Sequence, residues 1–278
     1  MVDKILKSHE NPIIGLQARG LEKQSGSIAK RDERQKMNGQ KALKQIALIK
    51  TGCTIEQIKT GHGDFEDWFA QGMDVYDLLQ VDVYRQQAMP DPKTLAGIVI
   101  TGSPAMVSEK EDWSERTAEW LSEAVQSGIP TLGICYGHQL LAHALGGRAG
   151  ANPRGRQIGT VQAQLLNSRQ KDPLLGHLPH TFKTQTSHSE VVLELPPGAE
   201  RLASSPLDDN FAIRFAENVW GVQYHPEFSA TVMSEYIRYR ADALREEGLS
   251  PDRLLENNTD TVAANSVLRT FADIVNRM

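Results

Sequence analysis

The sequence predicts an α/β protein: a mainly parallel sheet flanked by helices, with an added antiparallel strand section and C-terminal helices. Three observations lead there. Short apolar runs ending at glycine alternate with a helical stripe through the first half. The second half carries strand-like runs joined by turns such as Pro196-Pro197-Gly198. After Phe228 the apolar spacing becomes helical.

The elements follow in order. Gln45 to Lys50 (Gln-Ile-Ala-Leu-Ile-Lys) is an apolar run ending at Gly52, which suits a buried strand. Phe65 to Met73 reads as a short helix or lid segment rich in aromatic residues, and Val81 to Tyr84 as a second strand. Leu95 to Thr101 makes a third, stopping at Gly102-Ser103-Pro104. Trp113, Thr117, Trp120, Leu121, Ala124 and Val125 recur at helical spacing until Gly128 and Pro130 end the run. Thr131 to Ile134 is a fourth strand, and Leu140, Leu141, Ala144 and Leu145 form the apolar face of a helix closed by Gly146-Gly147. Gln157 to Leu166, Phe182 to Thr186, Val191 to Leu195, Phe211 to Ala216 and Val219 to Tyr224 read as further strands. Val232, Met233, Ile237, Ala241 and Leu244 line one helix ending at Gly248. Ser250-Pro251 starts another, and Val267, Leu268, Phe271, Ile274 and Val275 make the last stripe.

Composition narrows the function classes. No apolar run approaches the ~20 residues of a membrane span, and the first thirty residues lack the apolar core of a secretory signal. A cytoplasmic protein with no membrane association is expected, and its two cysteines, Cys53 and Cys135, are expected to be reduced. No Cys/His group has zinc spacing, so no metal is expected. Residues 1–41 hold nine Lys/Arg against five Asp/Glu, whereas the remainder is acidic overall. With no aromatic residues among those charges, the segment reads as a basic, poorly ordered extension rather than a nucleic-acid arm. Residues 42–228 then form the main domain, with 229–278 as helices packed on it.

The chemistry concentrates at three places. Gly133-Ile134-Cys135-Tyr136-Gly137 stands where a strand hands over to a helix, and glycines on both sides of a nucleophile permit a sharp turn that lifts its side chain clear of the sheet. The helix behind it points its positive end at the sulfur, which favours the thiolate. His225-Pro226-Glu227 follows a strand, and the proline stiffens the segment so that imidazole and carboxylate both face one pocket. A thiol, an imidazole and a carboxylate in series are the general arrangement for activated nucleophilic catalysis. Gly102-Ser103 ends a third strand, and backbone N–H groups there, with that of Tyr136, supply an oxyanion hole.

Gly-Ile-Cys-Tyr-Gly-His-Gln (133–139) and Gly-Val-Gln-Tyr-His-Pro-Glu (221–227) resemble the two signatures of class I, triad-type glutamine amidotransferases, and Thr-Gly-Ser-Pro (101–104) is similar to that family's oxyanion loop. The resemblance covers roughly Gln45 to Phe228. It implies a flavodoxin-like core and glutaminase chemistry through a γ-glutamyl thioester without a cofactor. Cys135 would be the nucleophile, His225 the acid and base, and Glu227 its orienter. Gln139 and Ser189, the latter in Ser187-His188-Ser189-Glu190, would hold the substrate's amino-acid end. His138 reads as scaffold and Cys53 as inert packing.

No Gly-rich phosphate loop or nucleotide signature of a synthase is present. Gly146-Gly147-Arg148, Asn152-Pro153-Arg154-Gly155 and Ile158-Gly159 resemble a free-standing, GMP-synthase-like branch that includes γ-glutamyl peptidases. The substrate is then glutamine or a γ-glutamyl small molecule. The alternatives are an ammonia-supplying glutaminase component of a two-chain synthase and a catalytically silent regulatory module. The intact Cys/His/Glu set argues against the last.

Overall fold

The computed structural model describes residues 44–166 and 172–278. The readings for residues 1–41, including a turn near Ile28 to Met37, lie outside the described residues.

Eleven strands occur among the described residues: β1 (Ile46–Lys50), β2 (Leu79–Asp82), β3 (Gly97–Ile100), β4 (Thr131–Ile134), β5 (Arg148–Ala151), β6 (Gln157–Leu165), β7 (Thr181–His188), β8 (Glu190–Glu194), β9 (Glu200–Ser205), β10 (Asp208–Ala216) and β11 (Val219–Val222). Nine form one sheet in the order β2-β1-β3-β4-β11-β10-β9-β6-β7. The stretch from β2 to β11 is parallel, and from β11 onward each neighbour is antiparallel. Strands β5 and β8 pair separately as an antiparallel ribbon. The expected mainly parallel core with an antiparallel section is present.

The α-helices among the described residues are α1 (Glu56–His62), α2 (Phe65–Met73), α3 (Asp112–Gln126), α4 (Tyr136–Ala144), α5 (Ala230–Tyr239), α6 (Ala241–Glu246), α7 (Pro251–Glu256) and α8 (Val262–Asn276). Successive strand residues point to opposite faces, so β1 divides its side chains between two cores. Ile46 and Leu48 join Phe65, Phe69, Val267, Leu268 and Phe271 on the face covered by α2 and α8. Ala47 and Ile49 join Leu121, Ala124, Leu140 and Leu141 on the face covered by α3 and α4. A sheet buried on both faces needs the near-continuous apolar runs seen in β1, β3 and β4.

Several boundaries differ from the sequence reading. The second strand is Leu79–Asp82 rather than Val81–Tyr84, because β1 ends at Lys50, opposite Asp82, and leaves nothing for Val83 to pair with; a 3₁₀ turn follows at Val83–Arg85. The expected strand Val219 to Tyr224 ends at Val222, opposite the last residue of β4, so Gln223 and Tyr224 leave the ladder. The single helix read through Val232 and Leu244 bends at Arg240 (φ −94°, ψ 7°) into α5 and α6. The short elements α1, β5 and β9 were not anticipated. No helix among the described residues is long and apolar enough to cross a membrane.

A buried cation fixes the chain after β1. The Lys50 ammonium, 2% exposed, reaches Asp64 at 2.8 Å and Glu66 at 2.5 Å. Burial acts to raise the Asp64 carboxyl, but its bonds from Lys50, Thr54 N–H and Phe65 N–H outweigh that and hold it at about 2. Asp64 is thereby tied to β1, to the Thr51–Thr54 turn and to the start of α2, the pieces that form one wall of the site described next.

Candidate active site

Parallel register brings the three chemical segments to one sheet end. Ile100 lies opposite Gly133, and Ile134 opposite Val222. The residues following those strands, Thr101–Ser103, Cys135 and His225–Glu227, therefore emerge side by side at the carboxyl edge, where open α/β sheets present their ligands.

Cys135 adopts φ 51°, ψ −99°, a left-handed conformation that a non-glycine residue rarely holds. The surroundings over-determine it. Its N–H donates to Val222 O (2.9 Å), and its carbonyl accepts from Gln139 N (3.1 Å) at the start of α4. The flanking glycines are required by space: a Cβ on Gly133 would lie 2.4 Å from Gly137 O, and one on Gly137 would lie 2.6 Å from Ile100 O. The Gly-x-Cys-x-Gly pattern is thus the footprint of a strand-to-helix turn pressed against β3.

His225 is buried. Its Nδ1 bonds Glu227 Oε1 at 2.7 Å, and Phe228 stacks on the ring at 4.2 Å between centroids and 15° between planes. The other carboxylate oxygen of Glu227 is buried without a hydrogen-bond partner. The Asn265 side chain of α8 donates to Pro226 O (2.5 Å) and Phe228 O (3.2 Å), pinning the turn from behind. Burial acts to lower the imidazole's pKa. The Glu227 carboxylate and the hydrogen-bonded Cys135 sulfur outweigh it and raise the pKa to about 10. The imidazole therefore lies between the sulfur and the carboxylate, the series expected from the sequence.

Gly102 leaves room for this ring. A Cβ there would fall 2.9 Å from His225 Cε1 and 3.8 Å from Cys135 Cβ. Its carbonyl accepts the hydroxyls of Thr51 and Thr101, each at 2.9 Å. In a trans peptide the N–H points opposite to the C=O, so the Ser103 N–H is turned away from the two threonines. Tyr136 opens α4, and its N–H has no carbonyl within the helix to bond.

Two adjoining lobes flank Cys135 and share Ser103, Pro104, Ser187 and Arg240 in their walls. The first is also bordered by Met106, Gln139, Arg156, Ser189 and Glu190. The second is bordered by Cys53, Ile55, Phe65, His225 and Tyr236. Six of the eight sequence-predicted residues border the lobes, and Gly102 and Glu227 stand behind them against His225. Gln139 commits both amide N–H groups internally, to Glu190 O (2.8 Å) and Gln223 Oε1 (3.1 Å). Ser189 Oγ points to Met106 Sδ at 3.8 Å. Cys53, read as inert packing, borders the second lobe and bonds the Tyr84 hydroxyl at 3.0 Å.

Four side chains that line the first lobe or contact Cys135 went unassigned in the sequence: Gln223, Arg156, Arg240 and Glu190. Gln223 donates from Nε2 to Cys135 Sγ at 3.5 Å, and its position inside Gly-Val-Gln-Tyr-His-Pro-Glu was the available signal. His138, the expected scaffold residue, is fully buried, with Nε2 donating to Asn210 O (3.0 Å), and burial lowers its pKa to about 3. His188 is lowered to about 4 by burial and donates from Nδ1 to Glu190 O at 2.9 Å. Among the described residues, no group of three or more His, Cys, Asp or Glu side chains is arranged to hold a metal ion.

The family model described as glutamine amidotransferase class-I matches residues 70–242, which include the first lobe and the Cys135 and His225 turns. The chain belongs to the class-I glutamine amidotransferase family. It is similar to GMP synthase [glutamine-hydrolyzing] of Aeropyrum pernix, 40% identical over 49% of this chain but only 25% of that protein. It thus spans about a quarter of the length of this relative. A GMP synthase [glutamine-hydrolyzing] subunit from Natronomonas pharaonis is 36% identical over 53% of this chain and 74% of its own. Gamma-glutamyl peptidase 3 of Arabidopsis thaliana is 27% identical over 70% and 81%. Among solved structures, a glutamine amidotransferase from Thermotoga maritima superposes with TM-score 0.65 over 84% of this chain and 99% of that one, at 22% identity. This class-I amidotransferase therefore has the fold its motifs implied.

Proposed function

We propose that this class-I amidotransferase hydrolyses the γ-glutamyl amide of glutamine or of a γ-glutamyl compound through a thioester on Cys135. The observation that carries the reading is the His225 imidazole held between the Glu227 carboxylate and the Cys135 sulfur, at a turn the glycines force open.

The Cys135 thiolate attacks the γ-carbonyl carbon, and the oxygen, gaining charge, is met by the N–H groups of Tyr136 and Ser103. As the C–N bond breaks, the His225 imidazolium gives its proton to the departing nitrogen, which leaves as ammonia or an amine. Neutral His225 then takes a proton from water, the resulting hydroxide attacks the thioester, and glutamate leaves as the C–S bond breaks. Glu227 holds the ring and stabilises its charged form. Gln139, Ser189 and Glu190 line the lobe that receives the glutamyl amino-acid end. The reading includes a cytoplasmic setting, which keeps thiols reduced; both cysteines are free in the structure.

The chain's likeness to a GMP synthase subunit favours a second reading, in which the ammonia passes to a partner synthase. Purified protein assayed alone, for ammonia from glutamine and for glutamate from γ-glutamyl dipeptides, tests both. Turnover by the chain alone is expected. Silence until a synthase partner is added would favour the second reading, and silence in every combination would remove both.

The raised His225 pKa gives a pH dependence with a definite sign. The imidazolium must be present to protonate the leaving nitrogen, so kcat/KM is expected to fall as pH rises through about 10. Because the folded value exceeds the ordinary 6.5, the stability it contributes is fully present below 6.5 and is lost as pH rises through about 10. Glu227→Gln removes the carboxylate but leaves the ring buried. The alkaline limb of its kcat/KM profile is therefore expected at lower pH, with reduced kcat, and a limb that stays in place would show that the carboxylate does not set it.

A further inference from the structure

Charged side chains around the two lobes differ in whether the chain itself satisfies them. The Glu190 carboxylate receives both the hydroxyl and the N–H of Ser108. Arg156 directs its Nε at both oxygens of Glu247, at 3.0 and 2.8 Å. Arg240 is placed differently, at the bend between α5 and α6, and its Nε is buried without a hydrogen-bond partner. Burial and the neighbouring Arg156 charge both act against its ionised form, while Tyr236, Tyr239 and Glu247 act on it only through space. A guanidinium nevertheless stays protonated in proteins. A buried donor left without an acceptor is costly, so this side chain is poised for an anion, and a carboxylate matches its geometry best.

Position decides which anion. Arg240 is the one cationic side chain, among the described residues, that borders both lobes. His225 borders only the second. The nitrogen that takes the His225 proton must depart on that side, past Ile55, Phe65 and Tyr236. The first lobe already has Glu190 and Arg156 to face the ammonium and carboxylate of a glutamyl group. The departing group thus meets a mixed wall, with Ile55, Phe65 and Tyr236 beside Cys53, Ser103 and Ser187, and one unfilled guanidinium. Ammonia has nothing to offer that cation, whereas an amino acid or peptide amine brings a carboxylate.

We propose that Arg240 binds the carboxylate of the departing amine, so that the preferred substrates are γ-glutamyl amino acids and γ-glutamyl peptides rather than glutamine. This rests on the hydrolase reading above and names its substrate class.

The test compares γ-glutamylglycine with γ-glutamylglycinamide, which differ only in the carboxylate, on the full chain. The unsubstituted protein is expected to favour the carboxylate in kcat/KM by about ten- to hundredfold, the range of a charge-assisted hydrogen bond. Arg240→Gln should bring that ratio to within about threefold of one, and Arg240→Lys, which keeps the charge, should retain part of it. Dissociation constants for the same pair on the Cys135→Ala protein, with and without Arg240→Gln, should follow the same order whether or not turnover needs a partner. A ratio near one in the unsubstituted protein, or one unchanged by Arg240→Gln, would overturn the assignment while leaving the hydrolase reading intact. Failure to turn over or bind any γ-glutamyl compound would remove both.

Discussion

Cys135→Ala is expected to lose γ-glutamyl hydrolysis by ~10⁶-fold, to the detection limit of a glutamate-release assay, while keeping its fold. The size follows from removing a nucleophile from a set of groups that act as a unit, where one loss costs nearly as much as losing all. The fold should survive because the sulfur makes few structural contacts. Besides the His225 ring, its neighbours are Gln223 Nε2 at 3.5 Å and Ser187 O at 4.0 Å. Alanine at φ 51° is no more strained than the cysteine it replaces. Thermal unfolding within a few degrees of the unsubstituted protein, beside absent activity, is the expected pair of results. Activity persisting in a folded Cys135→Ala protein would mean that another group attacks.

His225→Asn is expected to cost ~10⁴-fold or more in kcat/KM. The amide can still donate to Glu227, which limits the structural damage of leaving a buried carboxylate unpaired. It cannot carry a proton at any working pH, so both thioester formation and its hydrolysis lose their acid and base. A loss below tenfold, with glutamate release measured over a range of substrate concentrations, would contradict the proton-transfer role.

The site was legible where local chemistry is forced. Gly133 and Gly137 mark a turn that admits no Cβ, and the segment around Cys135 and the one around His225 each follow an apolar strand. What the sequence could not show is the register that joins them, Ile134 opposite Val222, since that is set by the sheet as a whole. Gln223 escaped assignment because a carboxamide carries no acid, base or nucleophile to read, and only its place inside Gly-Val-Gln-Tyr-His-Pro-Glu marked it. Its role depends on the strand ending at Val222 and turning the side chain under Cys135. Arg240 reads like any helix-surface arginine until the bend between α5 and α6 carries it to the cleft.

Elements were lost for comparable reasons. The helix Glu56–His62 buries only Ile58 and so has no apolar stripe. The strand Glu200–Ser205 has no β-branched residue and is held by its neighbours β10 and β6 rather than by its own pattern. Conversely, the apolar face through Val232, Ile237 and Leu244 was read as one helix because a bend at a single residue leaves helical spacing nearly intact.

Quenching the protein in acid during turnover of a γ-glutamyl substrate, and mapping the adduct by peptide mass spectrometry, tests the catalytic assignment most directly. A γ-glutamyl group on Cys135, absent from the Cys135→Ala protein, is the result predicted. An adduct on Cys53, or turnover with no thiol modified, would contradict it.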